Sequence, residues 1–187
     1  ASARLNAFAW TVRSSICIRT AIDATSLMLE AIAGALEATA LSQTLRSSIW
    51  LYPLVNTGHV IGIALLFGGI APLDLRLIGC WRSVPIAPLA RVLVPMAIAG
   101  LVLAVVTGSL LFAARPLDYV KEPLFGIKMA LLVAAVLNAI ALRRSSQWGW
   151  THVTGGDVVS PLWKLAAALS LVLWLGVITA GRLIGYR

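Results

Sequence analysis

The stretch WLYPLVNTGHVIGIALLFGGIAPLDLRL, Trp50 to Leu77, carries no charged residue before Asp74. Yet it holds a histidine, His59, with Asn56 about one helical turn ahead of it. A hydrocarbon core about 30 Å thick is crossed by about 20 consecutive apolar residues in helix, and this run is long enough. The rest of the chain has the same character. Of its 187 residues, 60% are hydrophobic and 12% charged, and the mean hydropathy is +0.93. Soluble domains carry about 25% charged residues. A water-facing surface would need more polar side chains than this chain has, so it reads as an integral membrane protein.

Working outward from that run, four stretches qualify as spans: 50–73, 92–114, 124–142 and 162–180. None alternates over about ten residues as a β-barrel strand would. A helix satisfies its own backbone groups, which lipid requires. The expected fold class is therefore all-α: an integral membrane four-helix bundle over residues 50–187. Pro85 and Pro88 precede the second span, Pro116 follows it, and Pro123 and Pro161 open the third and fourth. Proline is tolerated in a first helical turn and disrupts an interior. Pro53 and Pro95 fall one turn inside and predict mild kinks. The short connection RPLDYVKEP, Arg115 to Pro123, makes its neighbours antiparallel. In the longest connection, 143–161, Trp148 and Trp150 suit an interfacial aromatic belt.

The first 49 residues differ. Residues 1–27 contain Arg4, Arg13 and Arg19 and no acid before Asp23, like a targeting segment or an upstream extension. Residues 28–49 predict an amphipathic helix with apolar positions Leu29, Ile32, Leu36 and Leu41. Two placements fit it, flat on the membrane or packed on the bundle. The net charge of +8 is spread over helix ends and loops, with no basic run longer than Arg143–Arg144. That pattern points to topology and lipid contact rather than nucleic acid. Basic residues tie in number on the two sides. Those beside the first and third loops are assigned to the cytoplasm, which puts both termini in the periplasm. Cys17 and Cys80 form no metal or redox spacing.

Helices in lipid associate through small residues that let backbones approach. The second span has Gly100, Ala104 and Gly108 at i, i+4 and i+8, and the third has Ala130, Ala134 and Asn138 at the same spacing. The first has Gly58, Gly62 and Gly69. At 100° per residue these glycines share a broad side of the helix with His59 and Asn56, opposite Val60, Ile61, Ala64 and Phe67. The imidazole is expected to point into the bundle.

The segments SSIWLYPLVNTGHVIGIALLFGGIAPLDLRLIG, LVPMAIAGLVLAVVTGSLLFA, FGIKMALLVAAVLNAIAL and WLGVITAGRLIGYR resemble, in order, the helices of a family of uncharacterised bacterial inner-membrane proteins. The likeness covers Leu29 to Arg187. That family is four-helical and distantly similar to copper-resistance protein D and related haem- or metal-associated membrane domains. The resemblance implies the fold and supplies no reaction. The matching positions are His59, Asp74–Leu75–Arg76, Thr107–Gly108, Lys128, Asn138 and Gly181–Arg182. Relatives have a histidine near the end of the third helix, where this chain reads Leu142–Arg143–Arg144.

Asp74 and Arg76 at the exit of the first span read as an interfacial pair, charges there being far cheaper than at the bilayer centre. A proton or quinone contact is the alternative. Arg182 is expected to pair with acids on its own face, Asp118 or Glu122, and Lys128 to snorkel to that surface. His59, with Asn56, Thr107 and Asn138 as its candidate pocket, is a bundle histidine satisfied by neighbours, an axial ligand for haem b, or a metal or quinone contact. No metalloprotease, thiol-redox, phosphate-loop or Ser–His–acid pattern is present. The function read from these features is non-catalytic: an accessory or structural subunit of the bacterial inner membrane that packs against other membrane proteins. The alternative is a b-type haem electron-transfer protein using His59. Copper handling is a weaker reading, since Met28, Met96 and Met129 are few and scattered.

Overall fold

The computed structural model describes residues 27–144 and 160–186, and all regular structure among them is helical. The expectations for residues 1–26 and for Trp148 and Trp150 lie outside the described residues. Seven helices follow in order: α1 (27–37), α2 (Ala40–Ser47), α3 (Leu51–Ile78), α4 (Ile86–Ala114), α5 (Pro116–Lys121), α6 (Pro123–Arg144) and α7 (Pro161–Ile184). Four of them, α3, α4, α6 and α7, are long and apolar enough to cross a membrane. The bundle of a multi-pass membrane protein is thus present, preceded by two short helices.

Two boundaries differ from expectation. The first span does not stop at residue 73, because α3 continues to Ile78 with Leu73, Asp74, Arg76 and Leu77 all buried. Its last turns are covered by protein, and helix remains the way to satisfy their backbone. It ends at Gly79, whose φ of +129° suits a residue without Cβ. There the Leu75 carbonyl accepts from the Gly79 and Cys80 N–H groups at 3.1 and 2.9 Å. The second span begins at Ile86 rather than 92, with Pro85 as its N-cap and Pro88 in the first turn. The connection Arg115 to Pro123 contains the short helix α5, opened by Pro116. A ring cluster of Phe112, Tyr119 and Phe125, with centroids 5.4–6.0 Å apart, holds α5 to the helices on either side. Burial pushes the Tyr119 phenol above its ordinary value.

Helix α3 packs against α4 and α7, and α7 packs against α6, while α4 and α6 make no backbone approach to each other. The tightest of these contacts is α3 on α4. A methyl added at Gly62 would lie 2.7 Å from the Ala104 nitrogen, and one at Gly100 2.4 Å from the Leu66 nitrogen. At Gly69 it would lie 2.8 Å from the Leu93 carbonyl oxygen. Backbone touches backbone along this whole seam. Two apolar clusters fill the remaining space: Leu73, Leu77, Ile86, Ala90 and Ala167 at one end, and Leu66, Ala97, Ala135 and Trp174 at mid-depth.

The small-residue pattern of α6 is not used in the same way. Ala130 and Ala134 are exposed, and Ala135 is the residue of α6 that is buried. The reason is topological, since α6 touches the bundle mainly through α7 and turns its Ala130–Ala134 side outward. Phe67, expected on the lipid side of α3, packs instead against the mid-depth cluster.

The amphipathic segment is broken after residue 37 and recapped by Thr39, whose hydroxyl accepts from the Ser42 N–H at 3.4 Å. Its bundle-facing residues are Ala33, Ser42 and Leu45, and the Ser42 hydroxyl donates to the Ala114 carbonyl at the end of α4 at 3.3 Å. Leu29, Ile32 and Leu41 are exposed, so these apolar positions point away from the bundle. An ion pair between Glu37 and Arg46 ties α1 to α2. One side of the segment therefore rests on the bundle, and Leu29, Ile32 and Leu41 lie on its exposed side.

The seam makes a direct prediction. Gly100→Ala should lower stability by about 1–3 kcal/mol, the usual cost of overpacking. Gly68→Ala, where a methyl meets nothing within 4 Å, should leave it unchanged or slightly raised. Unfolding of the purified protein in detergent micelles measures both, and equal behaviour of the two variants would contradict the seam.

Candidate functional site

The polar side chains of the spans gather at two levels. At the first, all four long helices contribute: His59 from α3, Thr107 and Gly108 from α4, Lys128 from α6 and Gly181 from α7. The seam brings His59 across onto α4, and glycine at 108 makes room for it, because a methyl there would lie 3.0 Å from the imidazole Cε1. Glycine at 181 similarly admits the Lys128 side chain, whose Nζ would be 3.3 Å from a methyl. The Lys128 charge is close enough to act on His59.

His59 Nδ1 is 2.9 Å from the Ala104 carbonyl oxygen and 3.2 Å from the Thr107 hydroxyl. The carbonyl can only accept, and the Thr107 hydroxyl donates its own proton to the Leu103 carbonyl at 2.6 Å. Both partners therefore assign the proton to Nδ1 and leave a lone pair on Nε2. The Ala104 carbonyl already belongs to the α4 ladder, so His59 uses its second lone pair. Chemically, the ring is a fixed interhelical donor whose other nitrogen is free to accept a proton, a hydrogen bond or a metal.

Of the pocket expected around His59, only Thr107 is in place. Asn56 is exposed, on the side of α3 that α4 does not cover. Asn138 lies elsewhere and donates from Nδ2 to the Ala166 carbonyl of α7 at 3.0 Å, which fixes α6 to α7. The step of about 100° per residue carries Asn56 about 60° further round α3 than His59, while Gly58, on the other side of His59, still faces Thr107.

At the second level, Asp74 and Arg76 do not form the expected interfacial pair. Asp74 is 4% exposed and faces α7, where the Ser170 hydroxyl is its hydrogen-bonding neighbour. Its Oδ2 has no partner, nor has the indole Nε1 of Trp174, one turn beyond Ser170 on the same side of α7. Arg76 points the other way. Its Nε donates to the Val84 carbonyl at 2.6 Å and its Nη2 to the Arg82 carbonyl at 3.0 Å, which closes the loop 79–85. Residues two apart on a helix lie about 200° apart, so they cannot share a partner face. Arg182 likewise departs from its expected acidic partner. It is exposed, donates to the Tyr186 hydroxyl at 2.8 Å and lies over that ring, 4.8 Å from its centroid. Tyr186 is one turn along the chain, within easy reach of the guanidinium.

Sequence reasoning missed Ser170 and Ser42, and it gave Gly181 no role. Each is a small residue whose part depends on what another helix brings to it, and no local pattern marks that. Among the described residues, no group of three or more His, Cys, Asp or Glu side chains comes together as a metal site would require.

The two levels predict different sensitivities. Arg76→Leu removes two charged hydrogen bonds, each worth about 1.5–3 kcal/mol, and should open the loop 79–85 to limited proteolysis. Thr107→Val should cost only about 0.6 kcal/mol, as interhelical hydrogen bonds in membranes do. Unfolding in detergent separates the two, and a larger loss at Thr107 than at Arg76 would contradict this geometry. No protein-family profile, curated protein or solved structure matches the chain, so its functional reading rests on these residues.

Proposed function

We propose that the protein is a non-catalytic multi-pass subunit of the bacterial inner membrane, of the four-helix kind it resembles, which packs against other membrane proteins. The observation that carries this reading is where its polar groups are spent. His59, Arg76 and Asn138 each donate to a backbone carbonyl of another helix or loop, so they act as attachments.

The outward side of α6 supplies the second support. Ala130 and Ala134 are spaced for close helix approach and are exposed in the single chain. A partner helix is the occupant that suits them. Ala130→Leu with Ala134→Leu should leave the isolated protein as stable as its parent, since neither residue is packed. The same variant should release it from the complex with which it is extracted in mild detergent, as seen by native mass spectrometry. An unchanged complex would count against this face.

A second reading, haem b ligated by His59, has one observation in its favour. A ring held by Nδ1–H on a carbonyl presents Nε2 in the way histidine ligands are oriented. The visible spectrum of the purified protein decides between them. Attachment alone predicts no Soret band in the parent and a modest stability loss in His59→Gln. A Soret band that vanishes in both His59→Gln and His59→Ala would overturn the non-catalytic reading in favour of electron transfer.

A further inference from the structure

The α4 and α6 backbones do not approach each other, and a groove of about 330 Å³ lies between them, lined by Ala87, Ala90, Arg91, Val94 and Pro95 of α4 and by Arg143 of α6. Its walls are small and apolar, and its two charges are both guanidinium groups. We propose that this groove binds one anionic phospholipid, with the phosphate between Arg91 and Arg143 and an acyl chain along Ala87, Val94 and Pro95.

Depth and charge both favour that occupant. Arg91 lies in the second turn of α4 and Arg143 is the penultimate residue of α6, so both guanidinium groups sit at the ends of their spans, where phosphates lie. Neither has a hydrogen-bond or ion-pair partner among the described residues, and both are exposed. The planar fork of arginine matches two phosphate oxygens at once. The surroundings add to the attraction. Among the described residues, this end of the bundle carries six basic side chains against one acid, the buried Asp74, whereas the other end carries five against four. An apolar helix from a partner would leave the two arginines desolvated and unpaired, which is costly. A lipid with a neutral headgroup would leave their charge uncompensated.

The test uses the full chain in detergent with phosphatidylglycerol, phosphatidylcholine of the same acyl chains, or inorganic phosphate. Lipid retention is read by native mass spectrometry and stability by thermal unfolding. Phosphatidylglycerol should be retained in preference to phosphatidylcholine and should raise the melting temperature, while phosphate alone does neither. Arg91→Gln with Arg143→Gln should weaken retention about tenfold or more, since removing one charge-assisted hydrogen bond has an effect of about that size. Arg91→Lys with Arg143→Lys should keep part of it. Arg115→Gln with Lys121→Gln, at the opposite end, should keep all of it. Equal retention of the two lipids, an equal effect of phosphate alone, or equal weakening by the two glutamine pairs would overturn the proposal.

Discussion

The structure depends on one constraint, the direct contact of the α3 and α4 backbones at Gly62, Gly69 and Gly100. In lipid no hydrophobic effect draws two apolar helices together, so the attraction must come from dispersion and weak polar contacts at short range. Glycine allows that range by removing the atoms that would hold the helices apart. Once α3 and α4 are this close, the register between them is set, because a shift of one residue would drive Cβ atoms into backbone. Everything polar at the His59 level follows from that register. The imidazole reaches the Ala104 carbonyl only because Gly62 lets α4 in and Gly108 leaves space for the ring.

With one side of α3 committed to α4, its other buried side is available to α7. That is where Asp74 meets Ser170 and where Ala167 and Trp174 pack. The carboxyl is therefore a group held between two helices rather than a surface anchor. Arg76, turned the opposite way, is buried and satisfied by loop carbonyls. The two charges thus do separate jobs within three residues, one inside the bundle and one closing the loop.

Helix α6 is the least integrated of the four. It is held by α7, by Asn138 on the Ala166 carbonyl and by Lys128 over Gly181. Its backbone stays away from that of α4, which it meets through Phe125 on Phe112, and this has two consequences with one cause. One edge of α6 borders an open groove with arginines at its mouth, and another presents alanines at helix-packing spacing. A helix that spends little of its surface inside its own bundle has most of it left for lipid or a partner.

How much of this is legible in the sequence differs by kind of property. The number of spans, their helical nature and their approximate positions come from length and apolar content, which are local and need no partner. The glycine spacings of α3 and α4 are also legible, since a seam repeats along each helix by itself. The partner of His59 is half legible: the spacing points to Thr107, but equally to Asn56 and Asn138, which belong to other faces. Where α3 ends, that Asp74 and Arg76 part company, that Arg182 turns to Tyr186, and that α6 turns its alanines outward were decided only by tertiary structure. The physical reason lies in the solvent. In water, an apolar stripe on a helix marks the side that faces the core. In lipid both sides are apolar, so the stripe is absent, and only the packing of one helix against another decides which way each residue faces.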